Sequence, residues 1–158
     1  LGPERVEVAE AGFAITLPRD WEHRLAAYSG PEWWDPEFGA PEEQHRDFLE
    51  YGGVLMSRTE NDPVGEQCNV SDWSGADAQD YATAMRNDPQ VASFKSRNLE
   101  LPGGSAVAYD SVLKDGRFWC DYLVTDGDRW LRLDCASDLP PEDHWLSIAE
   151  TLEFLPAD

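Results

Sequence analysis

Three turn signals at near-even spacing constrain this chain more than any other feature. Pro102-Gly103-Gly104, Lys114-Asp115-Gly116 and Asp126-Gly127-Asp128 each gather residues that tolerate positive φ or favour tight reversals. The intervals between them are rich in β-branched and aromatic residues. Val91 to Leu101, Ala106 to Leu113, Phe118 to Thr125 and Trp130 to Cys135 therefore read as four strands joined by hairpins. Successive strands joined by turns this short pair antiparallel.

The first half is less regular. Val6/Val8 and Phe13/Ile15/Leu17 alternate with period two around Ala11-Gly12, which predicts an opening hairpin. Pro18-Arg19-Asp20-Trp21 breaks that pattern. From Leu25 to Tyr51 prolines punctuate an aromatic-rich stretch, with a short helix expected over Pro41 to Leu49. Val54-Leu55-Met56 begins a strand that ends at Glu60-Asn61-Asp62-Pro63, and Gln67 to Trp73 reads as the next. Ser74 then caps a helix whose buried stripe is Ala78, Tyr81, Ala82 and Met85, stopped by Pro89. A last helix is expected from near Asp138, with Pro140 and Pro141 in its first turn and Trp145, Ile148, Ala149 and Leu152 on its buried face. No internal repeat interrupts this order, so residues 1–158 read as one domain. The expected fold class is α+β: an antiparallel sheet of about six or seven strands with helices packed on it.

Charge narrows the partners. Thirty-two acidic residues against 12 basic ones give a net −20, which opposes binding to nucleic acid or to anionic lipid head groups. No apolar run is long enough to span a membrane. The three cysteines, Cys68, Cys120 and Cys135, form no CxxC and have no histidine at ligand spacing, so no metal is expected. One disulfide and one spare thiol suit an exported protein. The start at Leu1-Gly2-Pro3-Glu4 is what removal of a signal peptide and linker would leave. A hairpin turning at Gly127-Asp128 places Cys120 directly opposite Cys135. A bridge between directly opposed residues is expected to be strained, which favours Cys68–Cys135 and leaves Cys120 free.

The opening Ala11-Gly12-Phe13-Ala14-Ile15-Thr16-Leu17-Pro18-Arg19-Asp20-Trp21 resembles the F-x-I-x-L-P-x-x-W start of PsbP-like and Mog-like domains. Asp128 to Ser137 resembles the last strand of the same group. In that group the strand is followed, as here from Glu142 to Phe154, by a helix carrying an I-x-x-T-x-x-F phrase, matched by Ile148, Thr151 and Phe154. The group includes the extrinsic photosystem subunit, a Ran-GTPase-binding protein and many bacterial lipoproteins. The resemblance implies an α/β/α sandwich and a non-enzymatic binding domain, exported and lipid-anchored upstream of Leu1. No binding motif of the photosystem or Ran-binding branches matches here, so none is carried over.

Catalytic signals are sparse. His23, His45 and His144 have no nucleophile motif beside them, and no G-x-S-x-G occurs. Asp126/Asp128 and the acids from Asp72 to Asp80 lack EF-hand spacing and read as turn and cap chemistry. Asn69-Val70-Ser71 matches a glycosylation sequon but falls within a strand. No cofactor is expected. The reading is a non-enzymatic extracytoplasmic binding or scaffolding domain whose partner is a protein, peptide or lipid. Trp33, Trp34 and Phe38 are its candidate binding residues, since large aromatics between prolines suit a hot spot; the competing reading is that this loop folds back and its aromatics cap one edge of the core. The alternative is a carboxylate-based hydrolase, which two facing carboxylates in a deep pocket, one with a raised pKa, would favour. A shallow or apolar cavity would favour the binder.

Overall fold

The computed structural model describes residues 3–9, 12–19, 21–25, 53–58, 66–72, 78–138 and 144–156. Their architecture is sheet-rich α+β. In chain order the elements are β1 (Glu4–Val8), β2 (Phe13–Leu17), β3 (Trp21–Leu25), β4 (Gly53–Arg58), β5 (Gln67–Asp72), α1 (Ala78–Asn87), β6 (Val91–Leu101), β7 (Gly104–Leu113), β8 (Phe118–Thr125), β9 (Trp130–Ser137), α2 (His144–Ala149) and β10 (Glu153–Phe154). Seven strands form one antiparallel sheet in the order β3-β4-β5-β9-β8-β7-β6, and three form a second in the order β1-β2-β10.

The four strands expected between the turns form the meander β6-β7-β8-β9, and β9 runs two residues further than its pattern suggested, to Ser137. The hairpin register is the expected one, with Cys120 opposite Cys135. The opening hairpin forms too, but in the small sheet, where β10 adds to β2. Two strands escaped the sequence reading. Residues Trp21–Leu25 carry a mixed Trp-Glu-His-Arg-Leu pattern with no clear alternation, yet form β3 by pairing with β4. Glu153 and Phe154 read as helical from the closing phrase but form β10, because Thr151 ends the helix. Its hydroxyl donates to Ile148 O at 2.7 Å and accepts from Thr16 N–H at 3.0 Å. The expected Pro41–Leu49 helix, the Ser74 cap and the prolines ahead of α2 lie outside the described residues.

The core follows from alternation. One face of the large sheet presents Cys120, Tyr122 and Val124 from β8, Leu131, Leu133 and Cys135 from β9, and Cys68 and Val70 from β5, all at most 2% exposed. These residues share a cluster with Phe13, Ile15 and Leu17 of β2 and with Trp145, Ile148, Ala149 and Leu152. The stripe expected on the last helix is thus fully buried. On the opposite face, Ala82 of α1 packs with Tyr109 and Leu123, flanked by Phe94, Val107 and Trp130.

Arg129 joins the two sheets. Its guanidinium donates to Gly12 O at 3.3 Å and to Leu155 O at 2.7 Å, and lies 5.2 Å from the Phe154 ring centre. Gly12 has φ +76, and a Cβ there would run into that guanidinium, so the junction requires glycine. Across the small sheet, Arg5 of β1 reaches Glu153 of β10 at 2.9 Å.

Candidate functional site

β8 and β9 place four hydrogen-bonding side chains on the face of the large sheet opposite α2. Asp121 and Asp134 are direct cross-strand partners, as are Trp119 and Ala136, and Leu123 and Arg132. Arg132 therefore sits one row from the acid pair on one side and Trp119 one row away on the other, both within diagonal reach. Arg132 Nε donates to Asp121 Oδ1 at 2.8 Å, and its Nη2 to Asp134 Oδ2 at 3.3 Å. The Trp119 indole N–H donates to Asp134 Oδ1.

Burial sets the electrostatics. The Asp121 side chain is 1% exposed, whereas Arg132 and Asp134 keep about a quarter of their surface. Loss of hydration pushes the Asp121 carboxyl well above the usual carboxylate range, and the Asp134 charge opposite adds to the effect. Arg132 opposes both but serves two acids at once. Burial also raises Asp134, while Arg132 and the Trp119 donor pull it back. The cluster holds two carboxylates and one guanidinium, so with both acids ionised it carries a net negative charge in a low-dielectric setting.

The row continues beyond the pair. Asn69 of β5 lies opposite Asp134, and Tyr109 of β7 opposite Asp121. Asn69 Oδ1 is buried without a hydrogen-bond partner. The sequon asparagine is therefore a half-buried strand residue on this face. Tyr109 stacks on Phe94, with ring centres 5.5 Å apart, and Arg86 of α1 lies 5.5 Å from the Phe94 ring centre.

The sequence reading did not single out this cluster. The turn arithmetic that sets Cys120 opposite Cys135 also sets Asp121 opposite Asp134, so the signal was present. The run Phe118 to Val124 concealed it, because an aspartate among six largely apolar neighbours looks like an interruption rather than a site.

Trp33, Trp34 and Phe38, together with His45, lie outside the described residues. The Cys68–Cys135 disulfide forms and Cys120 is a buried free thiol. The expected reason for that choice needs correction, because Cys68 is also directly opposite Cys135. What distinguishes the two partners is the ladder. An antiparallel residue turns its N–H and C=O toward one neighbour only, so it makes a hydrogen-bonded pair on one side and a closer, non-hydrogen-bonded pair on the other. The 4.1 Å Cα separation of Cys68 and Cys135 is that of the close pair. Asp126 does the turn chemistry expected of it. Its Oδ1 accepts from the Asp128 and Arg129 N–H groups at 2.9 and 2.8 Å, which lowers its pKa. Among the described residues no group of three or more His, Cys, Asp or Glu side chains could hold a metal ion, and no helix is long and apolar enough to cross a membrane.

No family model matches the chain, and none of the curated proteins does. Among solved structures it is similar to the solution structure of cyanobacterial PsbP (CyanoP) from Synechocystis sp. PCC 6803. The identity is 13% and the TM-score 0.51, over 97% of this chain and 92% of that one. At that identity the likeness is one of fold alone: the chain shares the overall fold of PsbP.

Proposed function

We propose that this chain is the folded part of an exported lipoprotein of the PsbP-like and Mog-like group, one domain that binds or scaffolds a partner without catalysis in an extracytoplasmic space. The observation that carries this reading is the closed state of the charged cluster. Asp121 is sequestered and held by Arg132, and Asp134 is held by Arg132 and Trp119. A general acid or base must reach substrate, whereas Asp121 is 1% exposed and both Asp134 oxygens already accept hydrogen bonds from neighbours. Trp119 and Trp130 keep partial exposure on the same face. A tryptophan locked by its own indole hydrogen bond offers apolar area at little entropic cost. The disulfide and the likeness to PsbP support an oxidising compartment. The partner is a protein, peptide or lipid, and Trp33, Trp34 and Phe38 are proposed as additional contacts.

A specific observation favours the hydrolase as second reading: two carboxylates do face each other, and burial raises Asp121. One experiment separates the two. Wild-type protein, Trp119→Ala and Trp130→Ala are immobilised and exposed to detergent-solubilised envelope of the producing cell, and retained species are identified by mass spectrometry. In parallel, wild type and Asp134→Asn are assayed against ester, glycoside and phosphoester substrates. Binding predicts a species retained by wild type and lost from the folded tryptophan variants, with no turnover. Turnover abolished by Asp134→Asn, or identical retention by all three proteins, overturns the binding reading.

A further inference from the structure

The three cysteines occupy one row of the sheet. Cys68 on β5, Cys135 on β9 and Cys120 on β8 are successive register partners, all at most 2% exposed on the same face. The row continues through Met56 of β4 to His23 of β3 on one side, and through Asp110 of β7 to Lys95 of β6 on the other. Cys135 is thus flanked by its bonded partner on one strand and by a free thiol on the other. Displacement at sulfur runs in line, with attacking and leaving sulfurs on opposite sides of the central one. Three cysteines side by side on adjacent strands put the central sulfur between the other two, as that displacement requires.

We propose that Cys120, Cys135 and Cys68 form an internal thiol–disulfide exchange site, in which the bridge moves one strand along the sheet from Cys68–Cys135 to Cys120–Cys135. In the step, Cys120 Sγ loses its proton and attacks Cys135 Sγ. The Cys120–Cys135 bond forms, the Cys68–Cys135 bond breaks, and the electron pair leaves on Cys68 Sγ, which takes up a proton. One disulfide and one thiol stand on each side, so no oxidant or reductant is consumed. The expected Cα separation for the hydrogen-bonded pair Cys120/Cys135, about 5.5 Å, lies within the range a disulfide spans.

The move changes what the bridge holds. Cys68–Cys135 ties β5 to β9, the seam where β3-β4-β5 meets the meander β6 to β9. Cys120–Cys135 would staple only neighbours within the meander and leave the seam to hydrogen bonds and packing. The surroundings of Cys120 hold the exchange back. Burial and then the Asp110 carboxylate push its thiol pKa up, while Tyr122 and Arg97 pull the other way. At neutral pH the attacking thiolate is therefore scarce.

The test uses the whole chain. Folded wild type is held at pH 7, 8 and 9, acid-quenched over hours, alkylated and mapped without reduction, with native circular dichroism recorded throughout. The expected result is alkylated Cys68 appearing together with a Cys120–Cys135 peptide, at an initial rate rising about tenfold per pH unit. Cys120→Ser should keep Cys68–Cys135 at every pH. Cys68→Ser, oxidised in a glutathione buffer, should form Cys120–Cys135. Label confined to Cys120 in native wild type at all three pH values overturns the proposal. A folded Cys68→Ser protein that leaves Cys120 and Cys135 as free thiols or glutathione adducts overturns it too.

Discussion

On β8, Cys120, Tyr122 and Val124 point to one face of the large sheet, and Trp119, Asp121 and Leu123 to the other. The same backbone thus serves two kinds of interior. The first face is apolar from β5 to β8 and is covered by β2 and by α2, whose Trp145 and Ile148 are at most 2% exposed. The second is apolar only near α1, where Leu123 and Tyr109 meet Ala82. Toward β9 it turns charged. Apolar burial is tolerant of detail and scales with area, whereas a buried ion cluster depends on every partner being in place. The first face explains why the chain folds, and the second holds the buried charged cluster.

Mutations should separate the two faces. Trp145→Ala, which empties a fully buried site on the first face, is expected to cost about 3–5 kcal/mol in urea unfolding. A loss below about 1 kcal/mol would mean that α2 is not part of the cooperative core. Arg132→Ala should cost about 3–4 kcal/mol, because Asp121 would stay buried without its cation, and the quarter exposure of Arg132 keeps the effect at the low end. Replacing both, Asp121→Leu with Arg132→Met, should restore much of that loss. If the double variant is as unstable as Arg132→Ala, the cluster contributes through packing rather than charge. Reduction of Cys68–Cys135, which closes a separation of 67 residues, is expected to cost about 2–4 kcal/mol, read as a drop in melting temperature with reductant.

A smaller effect concerns pH. Asp121 has a folded pKa above its ordinary value, so the folded state binds the extra proton. Its contribution to stability is fully present below the ordinary carboxylate value and is lost as pH rises through the raised one. The slope within that window is at most about 1.4 kcal/mol per pH unit. Asp121→Asn should flatten it above pH 5. Glu153, held down by Arg5, and Asp126, held down by backbone N–H groups, act with the opposite sign, at pH values below the ordinary carboxylate range. A pH profile unchanged in Asp121→Asn would assign the window to another group. The smallest effect is ionic. With a net −20, the melting temperature should rise by a few degrees toward 1 M salt, where the Debye length falls to about 3 Å. A flat profile would show that the acids are compensated locally.

Much of the fold was legible because its signals are local. The turns at Pro102–Gly104, Lys114–Gly116 and Asp126–Asp128 name their hairpins, and the stripe Trp145, Ile148, Ala149 and Leu152 names its buried face. β3 was not legible, since Trp21–Leu25 has no alternation of its own and becomes a strand only by pairing with β4. β10 is too short to carry a pattern. Of the candidate site, the opposition of Asp121 and Asp134 follows from one turn position. That Arg132 turns toward both acids, and that Trp119 caps one of them, depends on side-chain directions that no spacing encodes.

By itself, then, the sequence determined the meander, its register and the apolar stripe of α2, because turn geometry and periodicity act within a few residues along the chain. Only the tertiary structure decided that β5 lies against β9, that α1 and α2 pack on opposite faces, and why Cys135 bonds to Cys68 when Cys120 is its equally direct neighbour. Contacts between distant segments are selected by the total area they bury and by the alternation of hydrogen bonds across the assembled sheet. Neither quantity exists until the strands have met.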